Sequence, residues 1–271
     1  MAPGRRRLGR GLLVFGAVLL APGWAAAGLA ERVGATFVLM ADDFIAAAQP
    51  VEGMVVAVEG DVLYLDLGDG RAGPPGRELA VFRRGAPFEH PVTGKVLGHY
   101  EDVLGWAQIR RVEPRFAEAV FFPAPNAPPP GPEDGVRISR ARIQVAVTPV
   151  LDLTGAGAGL RRVPYILASV LERSKRFLAV DPLAVNDMFA SGTLKVEEML
   201  ARPQRAIRVA TNLEVNGWLV PVLLERSGRT YLDVTWISAV TGTALLSRRL
   251  PLVPPGATEE QRFPWEPRAG D

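Results

Sequence analysis

The sequence predicts an α+β protein of two domains, a small antiparallel β-barrel followed by a mixed α/β layer domain. Three observations carry this. Short apolar runs broken by Gly, Asp and Pro fill residues 53–122, a stretch rich in proline follows at 123–135, and strand-like and helix-like patterns alternate after it.

The first 27 residues read as an export signal. Arg5, Arg6, Arg7 and Arg10 form a positive start, "GLLVFGAVLLA" (11–21) is a short apolar run, and Trp24-Ala25-Ala26-Ala27 offers a small-residue site, so cleavage is expected after Ala27. The run is roughly half of the ~20 apolar residues a spanning helix needs, and no integral membrane span is expected after cleavage. Losing four arginines from 31 basic residues leaves 27 against 29 acidic ones, which turns the net charge from +2 to −2. That balance gives no reason to expect nucleic acid as a partner. The chain has no cysteine, so it has no disulfide, no thiolate chemistry, no Cys-ligated zinc and no acceptor thiol for a lipid anchor. Two isolated histidines, His90 and His99, do not make a metal site. No metal, no cofactor and no catalytic residue is expected, and composition leaves the oligomeric state open.

The first domain is expected over 28–122. Residues 35–48, "ATFVLMADDFIAAA", fit a helix or a leading strand equally. "GMVVAVEGDVLYLDLGDGRAGPPGRELAVFRRG" (53–85) places turns about ten residues apart, the rhythm of a small SH3-like barrel or sandwich. Within it Leu63, Leu65 and Leu67 share the face that buries best. "GWAQIRRVEPRFAEAVFF" (105–122) supplies closing strands. Residues 123–140 are expected as a semi-stiff linker, because proline fixes φ and removes a donor.

The second domain is expected over 141–253, with 254–271 a loose tail. It opens with a strand (142–153), a helix (163–177) begun near Pro164, and a short strand (176–181). Helical pieces follow over 182–190 and 194–214. Three strands joined by Ser227-Gly228 and Thr241-Gly242 turns close it as a meander.

The stretch 150–171, "VLDLTGAGAGLRRVPYILASVL", raises the question of a nucleotide loop. Gly155, Gly157 and Gly159 follow a strand, and Asp181 stands where a ribose-binding acid would. The dinucleotide fingerprint needs a sixth-position glycine, where this chain has Leu160. The helix also begins too late for its N-terminus to reach a pyrophosphate. The loop reads as a connection. The acidic pairs Asp42-Asp43, Asp66-Asp69 and Glu197-Glu198 read as solvated turns and helix faces. Ser169 and Ser174 lack the context of a hydrolase nucleophile. Trp218, Trp236 and Tyr231 lie on strand patterns and read as core, while Arg161-Arg162 and Arg248-Arg249 read as solvated charge.

With "GMVVAVEGDVLYLDLGDG", "GRELAVFRRG" and "PVTGKVLGHYEDVLGWAQIRRVEPRFAEA", residues 53–120 resemble the carboxy-terminal domain of flagellar assembly protein T. "VAVTPVLDLTG", "LERSKRFLAVD" and the meander from Thr211 to Ser247 make the second unit similar to the amino-terminal domain of TolB and to curli-channel-like periplasmic domains. The domain order is the reverse of that in flagellar protein T, and no propeller follows as in TolB. The resemblance implies a non-enzymatic periplasmic accessory protein, peripherally associated with the outer membrane. Such an adaptor would bind envelope proteins or a cell-wall component through exposed strand edges and loops in the assembly of a flagellar, secretion or Tol-Pal-like machine. Two alternatives stand beside it: a ligand-binding protein or enzyme using the Gly155–Gly159 loop, and a glycan-binding module that would need Trp218 or Trp236 exposed.

Overall fold

The computed structural model describes residues 28–155, 159–192 and 194–255. The expected signal over 1–27, nearly all of the tail and positions 156–158 of the glycine loop lie outside the described residues.

Six strands, β1 (Val51–Glu59), β2 (Val62–Leu65), β3 (Glu78–Glu89), β4 (Val96–Val112), β5 (Ala117–Pro123) and β6 (Gly135–Ile138), pair antiparallel in the ring β1-β2-β5-β4-β3-β6 and close as a barrel. Alternation along each strand sends one set of side chains inward. Leu63, Leu65 and Leu67 are fully buried, as their spacing predicts, and Val55, Leu79, Val81, Ile109 and Val136 complete the filling. Alanines at 107, 117 and 119 fit the narrow interior.

The expected linker over 123–140 needs correcting. Gly135–Ile138 is the closing strand, paired with β1 at Val51–Met54 and with β3 at Ala80–Phe82. Val136 is buried inside. Both neighbours of this strand are distant in sequence, and four residues beside a proline run show no period of their own.

The second body is a layered sheet. β7 (Ile143–Val147), β8 (Leu151–Asp152), β9 (Phe177–Ala179), β10 (Gly217–Arg226), β11 (Arg229–Ser238) and β12 (Ala244–Pro251) take the order β12-β11-β10-β7-β9, with β8 also on β10. β7 runs parallel to β9 and β10, β8 runs parallel to β10, and β10, β11 and β12 form an antiparallel meander. Ser227 and Gly228 both have positive φ, the geometry that lets a two-residue hairpin follow the strand twist.

Helices α1 (Leu29–Ala47) and α2 (Val163–Arg173) cover one face, while α3 (Pro182–Ala190), α4 (Val196–Ala201) and α5 (Pro203–Leu213) cover the other. β10 serves both, with Leu219 and Leu223 toward the first pair and Trp218 and Val220 toward the second. The helical stretch predicted over 194–214 breaks at Arg202, where the backbone leaves the helical region ahead of Pro203. No helix among the described residues is long and apolar enough to cross a membrane.

The start of the first domain also needs correcting. Residues 29–47 form a helix whose stripe of Val33, Phe37, Met40, Ala41 and Phe44 packs in one cluster with Val145, Leu167, Phe177 and Leu232 of the sheet body. Burying each large side chain of that stripe contributes about 2 kcal/mol. The closed barrel, filled by its own side chains, offers this stripe no matching face. Gly34 permits the close approach to α2, since a Cβ there would meet Ile166 Cγ2 at 2.5 Å. The barrel is therefore an insertion between α1 and β7 of the α/β body.

Candidate functional site

An inserted barrel makes the chain cross between the two bodies twice, at 48–50 and at 139–142, and the carbonyls of such crossings need donors. Two buried arginines supply them. Arg77, just before β3, donates from Nε to Ala47 O (2.9 Å), from Nη1 to Ala72 O (2.7 Å) and from Nη2 to Gln49 O. Arg176, just before β9, donates from Nε to Ala48 O (2.6 Å), from Nη2 to Ser139 O (2.7 Å) and from Nη1 to Ala141 O. Arg176 thus ties the outgoing crossing to the returning one. Burial holds both guanidinium groups below their ordinary values, and the charge of Arg176 adds to the effect at Arg77.

A second patch completes the seam. Gly76, at φ +97°, lies so close to β12 that a Cβ would stand 2.0 Å from Leu245 O. Glu78 accepts from Ser238 Oγ (3.0 Å) and Thr241 Oγ1 (2.9 Å), and Gln108 Nε2 donates to Ala244 O (3.0 Å). Burial pushes the Glu78 carboxyl up while the two hydroxyls oppose it. Between the patches lies a cavity of about 240 Å³ walled by Arg77, Glu78, Arg142, Arg176 and Trp236 among others. Trp236 Nε1 is the one buried side-chain polar atom among the described residues without a hydrogen-bond partner. It sits over Gly217, where a Cβ would come within 2.2 Å.

The barrel also carries an arm. Residues 83–89 of β3 and 96–103 of β4 pair only with one another, because β6 reaches β3 at Ala80–Phe82 and β5 reaches β4 from Gly105 onward. The ribbon's base is fixed by Arg83–Asp134, Arg84–Glu52 and Arg137–Glu101 ion pairs. Beyond that base Phe88, Val92, Val96, Leu97 and Tyr100 are exposed, Val92 to 85% and Tyr100 to 65%. Phe88 and Tyr100 lie 5.4 Å apart, centroid to centroid.

The residues singled out in the sequence do not converge. Asp181 caps α3 by accepting from Leu183 N (2.9 Å), which is the work of a helix N-cap. Helix α2 begins at Val163 after a 3₁₀ turn over Leu160–Arg162, so its N-terminus lies past the glycine loop. Beside Leu160 and Asp152 an open groove of about 700 Å³ runs between α2 and α3. Asp43 pairs with Arg248, Glu198 with Arg205, Arg162 with Glu31, and Arg249 with Asp233. Asp66 accepts from Met54 N (2.7 Å), whereas Asp42, Asp69 and Glu197 are exposed. Arg161 is exposed too. Ser169 and Ser174 bond to carbonyls of their own helix. His90 and His99 are both exposed on the ribbon, and no group of three metal-ligating side chains occurs among the described residues. Trp218 is fully buried with Nε1 donating to Ala206 O (3.2 Å), and Trp236 is 6% exposed. The glycan-binding alternative falls with them, since it needed these rings at the surface. Tyr231 is half-buried.

No protein-family model matches the chain. A curated relative, an uncharacterized protein of Aquifex aeolicus, is 40% identical over 67 residues, which is 25% of this chain and 13% of that one. Among solved structures, the LpoB C-terminal domain from Salmonella enterica is similar with a TM-score of 0.34 and 17% identity, over 42% of this chain and 84% of that one. The Escherichia coli LpoB C-terminal domain gives 0.35 and 16%, over 43% and 86%. Lipoprotein GNA1162 from Neisseria meningitidis gives 0.33 and 14%, over 40% and 78%. These neighbours are LpoB C-terminal domains and a lipoprotein rather than flagellar assembly protein T or TolB, and a likeness of this extent assigns neither activity nor partner.

Proposed function

We propose that this chain is a non-enzymatic, exported accessory protein of the cell envelope, an adaptor that holds a partner protein through the β3–β4 ribbon. The ribbon is the observation that carries the reading. It presents five exposed apolar side chains, Phe88 against Tyr100 among them, and two unpaired strand edges on a base held by three ion pairs. Edges of that kind accept a partner strand, and the alternating side chains supply specificity. The closed barrel has no other free edge to offer among its described strands, which confines the expected edge-mediated contact to the ribbon and to the outer strands of the sheet. The export signal read at 1–27 supports a periplasmic location, and peripheral association with the outer membrane belongs to the same proposal.

The test compares two tagged forms recovered from crosslinked intact cells, wild type and a Phe88→Ser, Leu97→Ser, Tyr100→Ser triple variant. Loss of one discrete envelope protein from the variant, with folding unchanged by circular dichroism, agrees with the proposal. Equal recovery from both forms contradicts it.

A further inference from the structure

Arg77 and Arg176 are 5% and 7% exposed, line the same seam cavity, and form no ion pair among the described residues. Arg142 lines the cavity as well, so three guanidinium groups face a single carboxylate, Glu78. Both Glu78 oxygens are taken by the hydroxyls of Ser238 and Thr241. Buried charge without a counter-charge is costly, and carbonyl dipoles offset only part of that cost.

Donors remain free. A guanidinium carries five N–H groups. Carbonyls engage four of them on Arg77, through Ala47, Arg71, Ala72 and Gln49, and three on Arg176, through Ala48, Ser139 and Ala141. Trp236 closes one wall of the same cavity, with its Nε1 packed out of reach against Gly217. The volume of about 240 Å³ equals roughly eight waters at ~30 Å³ each, room for a phosphate or a small carboxylic acid. It falls short of the roughly 300–1,000 Å³ of drug-sized ligand sites.

We infer that the seam cavity is a binding site for a compact oxyanion, a phosphate or carboxylate group, that neutralises Arg77 and Arg176. An anion there sits between the two chain crossings and fixes the barrel against the α/β body. The site is independent of the ribbon, so either proposal can fail alone.

Thermal unfolding of the mature chain in chloride buffer at fixed ionic strength tests this, with sodium phosphate or sodium acetate replacing chloride up to 20 mM. The expected result is a saturable rise in Tm of about 3 °C with at least one of the two, since a ligand bound only to the native state stabilises it. Phosphate alone acting defines the site as a phosphate site, and acetate alone defines it as a carboxylate site. Arg142→Gln, at an exposed position on the cavity wall, removes one guanidinium from it and should need about tenfold more oxyanion for half the shift. The exposed Arg226→Gln, outside the cavity's walls, should leave the shift unchanged. Absence of a saturable shift with both anions overturns the inference, as does a shift that Arg142→Gln leaves unchanged.

Discussion

Replacing Arg176 with methionine tests the role of the seam most sharply. The side chain donates to Ala48 O, Ser139 O and Ala141 O, one carbonyl on the outgoing crossing and two on the return. Hydrogen bonds from a charged donor contribute about 1.5–3 kcal/mol each. Three at the low end give roughly 4.5 kcal/mol, and releasing a guanidinium from a buried site returns part of that, leaving a net loss of about 3 kcal/mol. With a urea dependence near ~3 kcal/mol per molar, the unfolding midpoint falls by about 1 M. The assay is urea unfolding followed by tryptophan fluorescence. Arg176→Lys should recover less than half of the loss, because a single ammonium cannot span carbonyls on two segments. The exposed Arg226→Met serves as a control and should stay within about 0.5 kcal/mol of wild type. A loss below ~1 kcal/mol for Arg176→Met, or full recovery by lysine, would refute the reasoning.

Gly76→Ala should destabilise by about 2 kcal/mol or more, because positive φ and a backbone oxygen 2.0 Å from the new Cβ act together. Gly60→Ala, at φ +62° with open space around it, should cost only about 1 kcal/mol, and equal losses in urea unfolding would contradict the close contact at Leu245. Burial holds the Glu78 carboxyl above its usual 4.5, so its contribution to stability is full below that value and is lost as the pH rises through the folded one. Wild type should therefore lose Tm relative to Glu78→Gln from about pH 4.5 upward, and a pH-independent difference would count against the burial. At Asp134 burial alone would raise the carboxyl, but Arg83 (2.7 and 2.8 Å) and Gly131 N (2.7 Å) hold it below its usual 3.8. Asp134→Asn should cost about 1–2 kcal/mol at pH 7, with water screening the half-exposed Arg83, and the gap to wild type should close as the pH falls through the folded value.

Much of the architecture was legible because it follows local rules. The meander announced itself through Ser227-Gly228 and Thr241-Gly242, α2 through Pro164, and the barrel's inner face through Leu63, Leu65 and Leu67. What escaped depends on distance. Residues 35–48 are apolar around much of the helix, so periodicity did not separate helix from strand, and nothing local says that Phe37 and Phe44 pack beside Phe177 rather than in the barrel. The closing strand Gly135–Ile138 is defined by Val51–Met54 and Ala80–Phe82, both far off in the chain. The seam escaped as well. Arg77 and Arg176 look like any other arginines, because the carbonyls they serve come together only when the insertion folds. Of the arginines read as solvated charge, Arg161 is exposed, whereas Arg162, Arg248 and Arg249 form ion pairs with Glu31, Asp43 and Asp233, partners that only the fold brings near. The ribbon carried a readable signal in "PFEHPVTGKVLGHY" (87–100), a hairpin around a Thr-Gly turn whose apolar residues have no second layer to cover them.

The most direct measurement is photo-crosslinking in intact cells from a reactive residue placed at Leu97 on the ribbon, with the same residue at exposed Arg226 on the sheet as control. The adaptor reading predicts one discrete envelope protein joined at position 97 and absent at 226. Identical products from both positions, or none from position 97, would contradict it.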